Sequence, residues 1–428
     1  MAFDRPQGQK RHIAIIGAGV SGLGAAYHLS RSHRVTLIES APRLGGHART
    51  VMAGRNGDQP VDTGFIVFNY VNYPELTAMF AELDVPVKKS DMSFSASIDG
   101  GRVEYGTTAW NAVFAQRTNL GRAGFWRMLR DILHFNKHAL ATAQRPDMTV
   151  GDLLDTLGLG DWFRRYYFLP ITGAIWSTSP DQMLKFPARP LVQFFDNHNL
   201  LGVYGQHEWW TVDGGSIEYV RRIARAIEAQ GAEIRTGAPV AGVRRDEAGV
   251  EVRTQGGVWE RFDDVVFACH SDDALAMLEA PTPEERTLLG AMRYQDNKAY
   301  LHADARVMPR RRACWASWVY KAPATHSDKP IGISYWMNKL QSIREDDPLF
   351  VSLNPAEEID SSMIYDEATF RHPVFDSAAM AAQQEMPNLQ GLNRTWYCGA
   401  YLRNGFHEDG YASAVEVARQ MDAQKVWS

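Results

Sequence analysis

Cysteine is scarce in this chain. The 428 residues hold three, Cys269, Cys314 and Cys398, widely separated and without a C-x-x-C pair. That pattern offers neither a disulfide framework nor a zinc site, and the expectation is a reducing compartment with no metal. Long apolar runs are also missing: nothing approaches the roughly 18 residues of a membrane span. The first dozen residues carry Asp4, Arg5, Lys10 and Arg11 with no apolar h-region, so the sequence reads as cytoplasmic. Nor is there an excess of positive charge. Forty-five Lys and Arg against 50 Asp and Glu give a formal net charge of −5, which leaves no footprint for nucleic acid. No internal repeat or low-complexity linker divides the chain.

What is present is size and glycine. At 428 residues, 45% of them hydrophobic, the chain exceeds what one core usually supports, so two lobes are expected. Ile13-Ala14-Ile15-Ile16 reads as a buried parallel strand, and Gly17-x-Gly19-x-x-Gly22 turns from it into a helix. Glu39 closes the next strand, Leu37-Ile38, about twenty residues on, the order of a dinucleotide site. Gly17 permits the tight turn and Gly19 admits a pyrophosphate. Gly22 lets the helix pack on the sheet with its N-terminus toward the phosphates. Arg43-Leu44-Gly45-Gly46-His47 then adds a second glycine turn, which a plain nicotinamide fold does not need.

These motifs together resemble the flavin-containing amine oxidoreductase superfamily, whose N-terminus carries G-x-G-x-x-G, an acid and R-x-G-G-R. His47 stands where the common pattern has Arg, leaving Arg43 and Arg49 as cationic candidates. The resemblance implies an α/β fold, a Rossmann-like FAD-binding domain interleaved with a substrate domain of mixed sheet plus helices. It also implies noncovalent FAD. Implied cofactor contacts are Gly17, Gly19, Ser21 and Gly22, then Glu39 and Ser40, then Arg43, Gly45, Gly46 and His47. Gly64, Phe65 and Ile66 would pass the flavin ring, and Val240 would touch the adenine. Gly399 ends a late strand, and Gly410, Tyr411 and Ala412 open the helix that faces the flavin.

Changes of pattern along the chain place the FAD-binding domain in residues 1–75, 205–290 and 391–428. The substrate domain takes 76–204 and 291–390, with a mainly helical stretch from about Thr108 to Leu200. Within 108–145 an amphipathic segment carries Trp126, Leu129 and Leu133 among Arg117, Arg122, Arg127, Arg130 and Lys137, a pattern that suits an anionic membrane surface or a helix packed on its neighbour. Peripheral contact with the inner membrane is therefore open.

A flavin accepts hydride at N5, so the protein needs few polar groups of its own. Lys298, His407 with its neighbour Glu408, and His198 are the catalytic candidates. Asp91-Met92-Ser93-Phe94-Ser95, Met308-Pro309-Arg310-Arg311, Trp315-Ala316-Ser317-Trp318 and Gly405 to Gly410 look like a bacterial NAD/FAD-binding subgroup associated with cyclopropane-synthase-like methyltransferases. That resemblance implies desaturation of a methyl-branched fatty acyl chain, phospholipid-linked, on a furan-fatty-acid route, with a lipid acyl partner and either O2 or a carrier as electron acceptor. The alternatives are an amine oxidase acting on a small amine or polyamine, and a noncatalytic FAD-containing lipid-binding protein.

Overall fold

A computed structural model describes residues 10–145, 147–176, 180–202, 207–322 and 332–423. The first nine residues of the proposed FAD-binding domain lie outside these. Five parallel strands form the central sheet, in the spatial order Glu233–Arg235, Arg34–Ile38, His12–Ile16, Asp264–Phe267, Thr395–Tyr397. In chain order these are the third, second, first, fourth and fifth strands. The order reverses between His12–Ile16 and Asp264–Phe267, and the carboxyl ends of those two strands are where an open α/β sheet binds ligands. Ile13 to Ile16 and Asp264 to Phe267 are buried, as strands covered on both faces must be.

On one face lies the helix Val20–Leu29, sandwiched between the sheet and the C-terminal helix His407–Ala423. Nine of its ten residues are buried, so it lacks the polar stripe of a surface helix. Gly24 makes the close helix contact possible: a Cβ there would stand 2.9 Å from the Tyr411 ring. The segments Val240–Asp246, Gly249–Thr254 and Trp259–Phe262 form a separate three-stranded antiparallel sheet.

The second lobe is built on a seven-stranded sheet. Its order is Ile364–Val374, Arg293–His302, Phe350–Leu353, Ile333–Trp336, Trp318–Ala322, Phe94–Ile98, Val103–Gly106, antiparallel except between Trp318–Ala322 and Phe94–Ile98. The stretch after Thr108 is mainly helical, with Ala123–Thr142 the longest element. The helix Val150–Thr156 starts where a Thr149–Asp152 capping box satisfies its first amides. Phe125 and Met128 of the long helix enter the core under the sheet, and Phe135 and Ala139 enter a second core among the helices. Arg49 crosses between the lobes, its guanidinium forked onto Asp366 of the first sheet strand.

Candidate active site

The two glycine turns lie back to back at the ends of the central strands. Gly17 has φ +100°, its amide donates to the Ile38 carbonyl at 2.8 Å, and a Cβ there would meet the Ala268 carbonyl oxygen at 2.8 Å. Gly45 donates to the Ala18 carbonyl at 2.8 Å. A Cβ on Gly46, at φ +56°, would come within 3.0 Å of the Gly19 Cα. Gly22 is the tightest of the set, with a would-be Cβ 1.8 Å from the Gly17 carbonyl oxygen. Gly19 is the exception. Nothing lies within 4 Å of where its Cβ would project, although it caps the helix Val20–Leu29. The open space faces a helix N-terminus and is ringed by backbone too close to admit other side chains, a cradle fitted to a pyrophosphate.

Glu39 lies at the rim of this cradle. One carboxylate oxygen accepts from the Ala18 amide at 2.6 Å, the other from the Ala41 amide at 2.8 Å and from the exposed Ser40 hydroxyl. Its own carbonyl accepts from the Ala238 amide, which brings the segment entering Val240 alongside. The arginines are placed differently from their sequence reading. Arg43 turns back on its own loop, donating to the carbonyl of Gly46 at 2.8 Å, and Arg49 is committed to Asp366. Arg43 braces the turn, and Arg49 ties it to the second sheet.

Beyond the glycines the chain assembles an imidazole cluster that sequence reading missed. The His47 ring has His270 at 5.9 Å, His372 at 5.7 Å and Phe370 at 5.1 Å between centroids. Gly64 fits under this loop because a Cβ would strike the His47 carbonyl oxygen at 1.9 Å. Phe65 stacks on His407 at 3.9 Å, and His407 Nε2 meets the Tyr219 hydroxyl at 2.6 Å. Burial lowers every one of these imidazoles: His47 and His270 to about 4, His372 and His407 to about 3. The secondary influences on His47 are the charges of His270 and Arg43 and a backbone contact. For His372 and His407 the secondary influence is His47, and among the described residues no carboxylate contributes to any of the three. All four residues are half-buried.

The acids nearby are already engaged. Glu408 caps the neighbouring helix Pro74–Glu82 through the amides of Glu75 and Leu76, and Asp409 accepts from the Phe406 amide. Asp272 and Asp273 share Arg371. With His270 they could approach a metal ion, yet that guanidinium already pairs with both.

Three residues named from the sequence have side chains committed elsewhere. Lys298 is exposed. It pairs with Thr369 on the outer face of the sheet, whereas Gln295 and Asn297 pair with His372 and Phe370 on the inner face. Strand alternation therefore takes the lysine out of the site. Tyr411 points its ring into the helix contact and bonds His28 Nε2 at 3.1 Å, which leaves only its backbone for a cofactor. Glu408 is held as a cap by the Glu75 and Leu76 amides. His198 stacks on Phe194 at 3.9 Å and lies 5.8 Å from Phe406, next to His407 in the chain. Gly399 donates to the Ser413 hydroxyl. Gly410 sits against Ser21, where a Cβ would meet Oγ at 2.9 Å, and Ala412 is buried one turn into the same helix.

Comparison with known proteins decides the family, because the model for flavin-containing amine oxidoreductases matches residues 20–311. The chain belongs to that family. A curated relative, the candidate flavin-containing monoamine oxidase AofH of Mycobacterium tuberculosis, is 26% identical over 288 residues, 64% of this chain. The chain spans about 60% of that relative's length. Human protoporphyrinogen oxidase is 50% identical over 50 residues, 11% of this chain and 10% of its own. Two solved structures share the fold: a fatty acid isomerase from P. acnes that produces CLA (TM-score 0.68, 13% identity, 96% and 98% of the two chains) and putrescine oxidase bound to putrescine (TM-score 0.68, 15%, 97% and 99%).

The residues present fit the FAD that the flavin-containing family implies. The cradle at Gly19, Gly45 and Gly46 would hold the pyrophosphate and Glu39 a ribose. The strand entry at Val240 would take the adenine, and the region around His47, Phe65, Ile66 and the first turn of His407–Ala423 the ring system. That helix N-terminus would favour negative charge on a reduced ring.

Proposed function

We propose that this flavoenzyme desaturates a methyl-branched, monounsaturated fatty acyl chain carried on a phospholipid. The observation behind this reading is the character of the surroundings of His47. Phe370 and the imidazoles of His270 and His372 lie around it and Phe65 stacks on His407, while among the described residues no carboxylate is among the charges that reach His47, His372 or His407. A cationic amine gains no counter-ion at His47, His372 or His407, and Asp272 and Asp273 beside His270 are held by Arg371, whereas an apolar chain loses nothing there. Ile66 and Phe370 also belong to the same buried apolar cluster as Phe125, Met128 and Tyr166, so apolar contact runs from beside His47 to the long helix.

Bound FAD supplies the two-electron acceptor for a hydride leaving an allylic carbon. The methyl branch stabilises the positive charge left on the chain, and loss of a proton from the neighbouring carbon completes the diene. His47 and His407 are kept neutral by burial, and each has one acceptor nitrogen for that proton, that of His407 being Nδ1 when its Nε2 donates to Tyr219. A second reading, oxidation of an amine, draws support from the sequence likeness to AofH. Anaerobic mixing of the yellow protein with methyl-branched phospholipid, unbranched phospholipid and putrescine separates them. Bleaching of the flavin absorbance by the branched lipid is expected. Bleaching by the amine alone would transfer the assignment to amine oxidation.

A further inference from the structure

The helix Ala123–Thr142 has an apolar face more than its packing uses. Phe125, Met128, Phe135 and Ala139 are buried against the lobe. At 100° per residue, Trp126, Leu133 and Leu140 fall along a different line, each seven residues from the last, and all three are exposed. Trp126 is 49% exposed and Leu133 57%. The stripe continues past the helix start: Trp126 packs 5.2 Å from Phe114, which stacks on Trp110, itself 68% exposed, and Leu120 is exposed beside them. Five of the twelve large hydrophobic side chains exposed among the described residues thus fall between positions 110 and 140.

Charge is equally uneven. Between Thr108 and Arg145 there are six arginines or lysines and a single acid, Asp131, in a chain whose net charge is −5. Asp131 is buried beneath the helix, where it faces Arg127 and Arg130 and accepts from the Gly160 amide. Arg117, Arg130 and Lys137 remain exposed around the stripe.

We propose that this face docks on an anionic lipid bilayer, with the Ala123–Thr142 helix lying in the plane of the membrane. Twenty residues make it about 30 Å long, and it is a single convex helix, which suits a surface better than a binding groove. Exposed tryptophan at the same level as leucine, flanked by long cationic side chains, is the arrangement that partitions into the interface between headgroups and acyl chains. An acidic protein partner would account for the cations but has no need of the leucine stripe. The proposal is independent of which compound the enzyme oxidises, although Phe125 and Met128 on the underside of the docked helix would place the apolar cluster of the site next to the bilayer.

The test is flotation of the FAD-loaded protein with vesicles of phosphatidylglycerol and phosphatidylcholine at 1:1, against phosphatidylcholine alone. The wild type is expected to float with the anionic vesicles and to be released by 0.5 M salt. Each cation near an anionic surface is worth roughly a fivefold gain in partitioning, so the triple variant Arg117→Gln, Arg130→Gln, Lys137→Gln should bind about a hundredfold more weakly. The pair Trp126→Ser and Leu133→Ser should lower binding at least tenfold without changing salt sensitivity. All five positions are exposed, and retained yellow colour checks the fold. Unchanged flotation of either variant, or equal binding to both vesicle types, would overturn the proposal. So would a wild-type dimer in gel filtration that the Trp126→Ser, Leu133→Ser pair converts to monomer, since the face would then belong to a second copy.

Discussion

His407 lies flat on Phe65, ring centroids 3.9 Å apart and planes 9° from parallel, while its Nε2 meets the Tyr219 hydroxyl at 2.6 Å. Packing and a polar bond therefore hold the same imidazole, and substitution can separate them. His407→Phe keeps the stack but leaves a buried tyrosine hydroxyl unpartnered, which should destabilise the protein by about 1–3 kcal/mol. If the imidazole accepts the substrate proton, acyl turnover should fall by roughly 10²-fold or more with FAD still bound. Thermal unfolding and single-turnover flavin reduction check the two effects. Full turnover by His407→Phe would leave His407 a stacking element only.

The same burial makes stability depend on pH. His47, His270, His372 and His407 stay neutral in the folded protein down to about pH 4 or 3, but protonate near 6.5 once unfolded. Below pH 6.5 the unfolded chain binds more protons, so stability is full above that pH and declines as pH falls toward the folded values. Each imidazole is expected to remove about 1–2 kcal/mol between pH 6.5 and 5. The unfolding temperature, followed by flavin release, should be flat from pH 8 to 7 and drop steeply by pH 5. His372→Gln should make the drop shallower. A flat profile down to pH 5 would contradict neutral burial of the cluster.

What could be read from the sequence was local. Strand, glycine turn, helix and acid are contiguous between Ile13 and Glu39, and each is set by its own neighbours. The contact of Gly46 on Gly19 could not be read, because it depends on how the loop after Glu39 returns over the first turn. The imidazole cluster was hidden for a related reason. His47, His270 and His372 are more than two hundred, then one hundred, residues apart, and only the pairing of Arg293–His302 with Ile364–Val374 turns His372 inward. His270, next after the buried strand Asp264–Phe267 and Ala268-Cys269, sits at the switch point of the sheet and was the one visible hint.

Lys298 shows how a one-residue step on a strand changes a site. Because Asn297 and Ala299 are buried and Lys298 is exposed, Lys298→Met should leave FAD content and the rate of flavin reduction within about twofold of the parent. Stopped-flow reduction measures this. A tenfold loss would mean that the lysine reaches the flavin after all. Asn297→Leu is the informative contrast: it removes the partner of the Asn354 amide at 2.7 Å behind Phe370, and a buried polar loss of about 1–3 kcal/mol is expected.

The glycines give the sharpest separation of fold from cofactor. At Gly22 a methyl group would lie 1.8 Å from the Gly17 carbonyl oxygen, and both atoms belong to backbone fixed by the central sheet. Gly22→Ala should therefore destabilise the protein by about 3 kcal/mol or more, with or without FAD. At Gly19 the backbone has φ −71° and ψ −173°, which alanine adopts freely, and the methyl group would enter open space. Gly19→Ala should leave the flavin-free protein within about 1 kcal/mol of the parent, the difference between glycine and alanine at a helix cap. Yet that open space is where the pyrophosphate must approach, so FAD affinity should fall at least tenfold. Urea unfolding of the apoprotein and titration with FAD give both numbers. Normal FAD binding by Gly19→Ala would mean that the cradle between the two turns does not hold the phosphates.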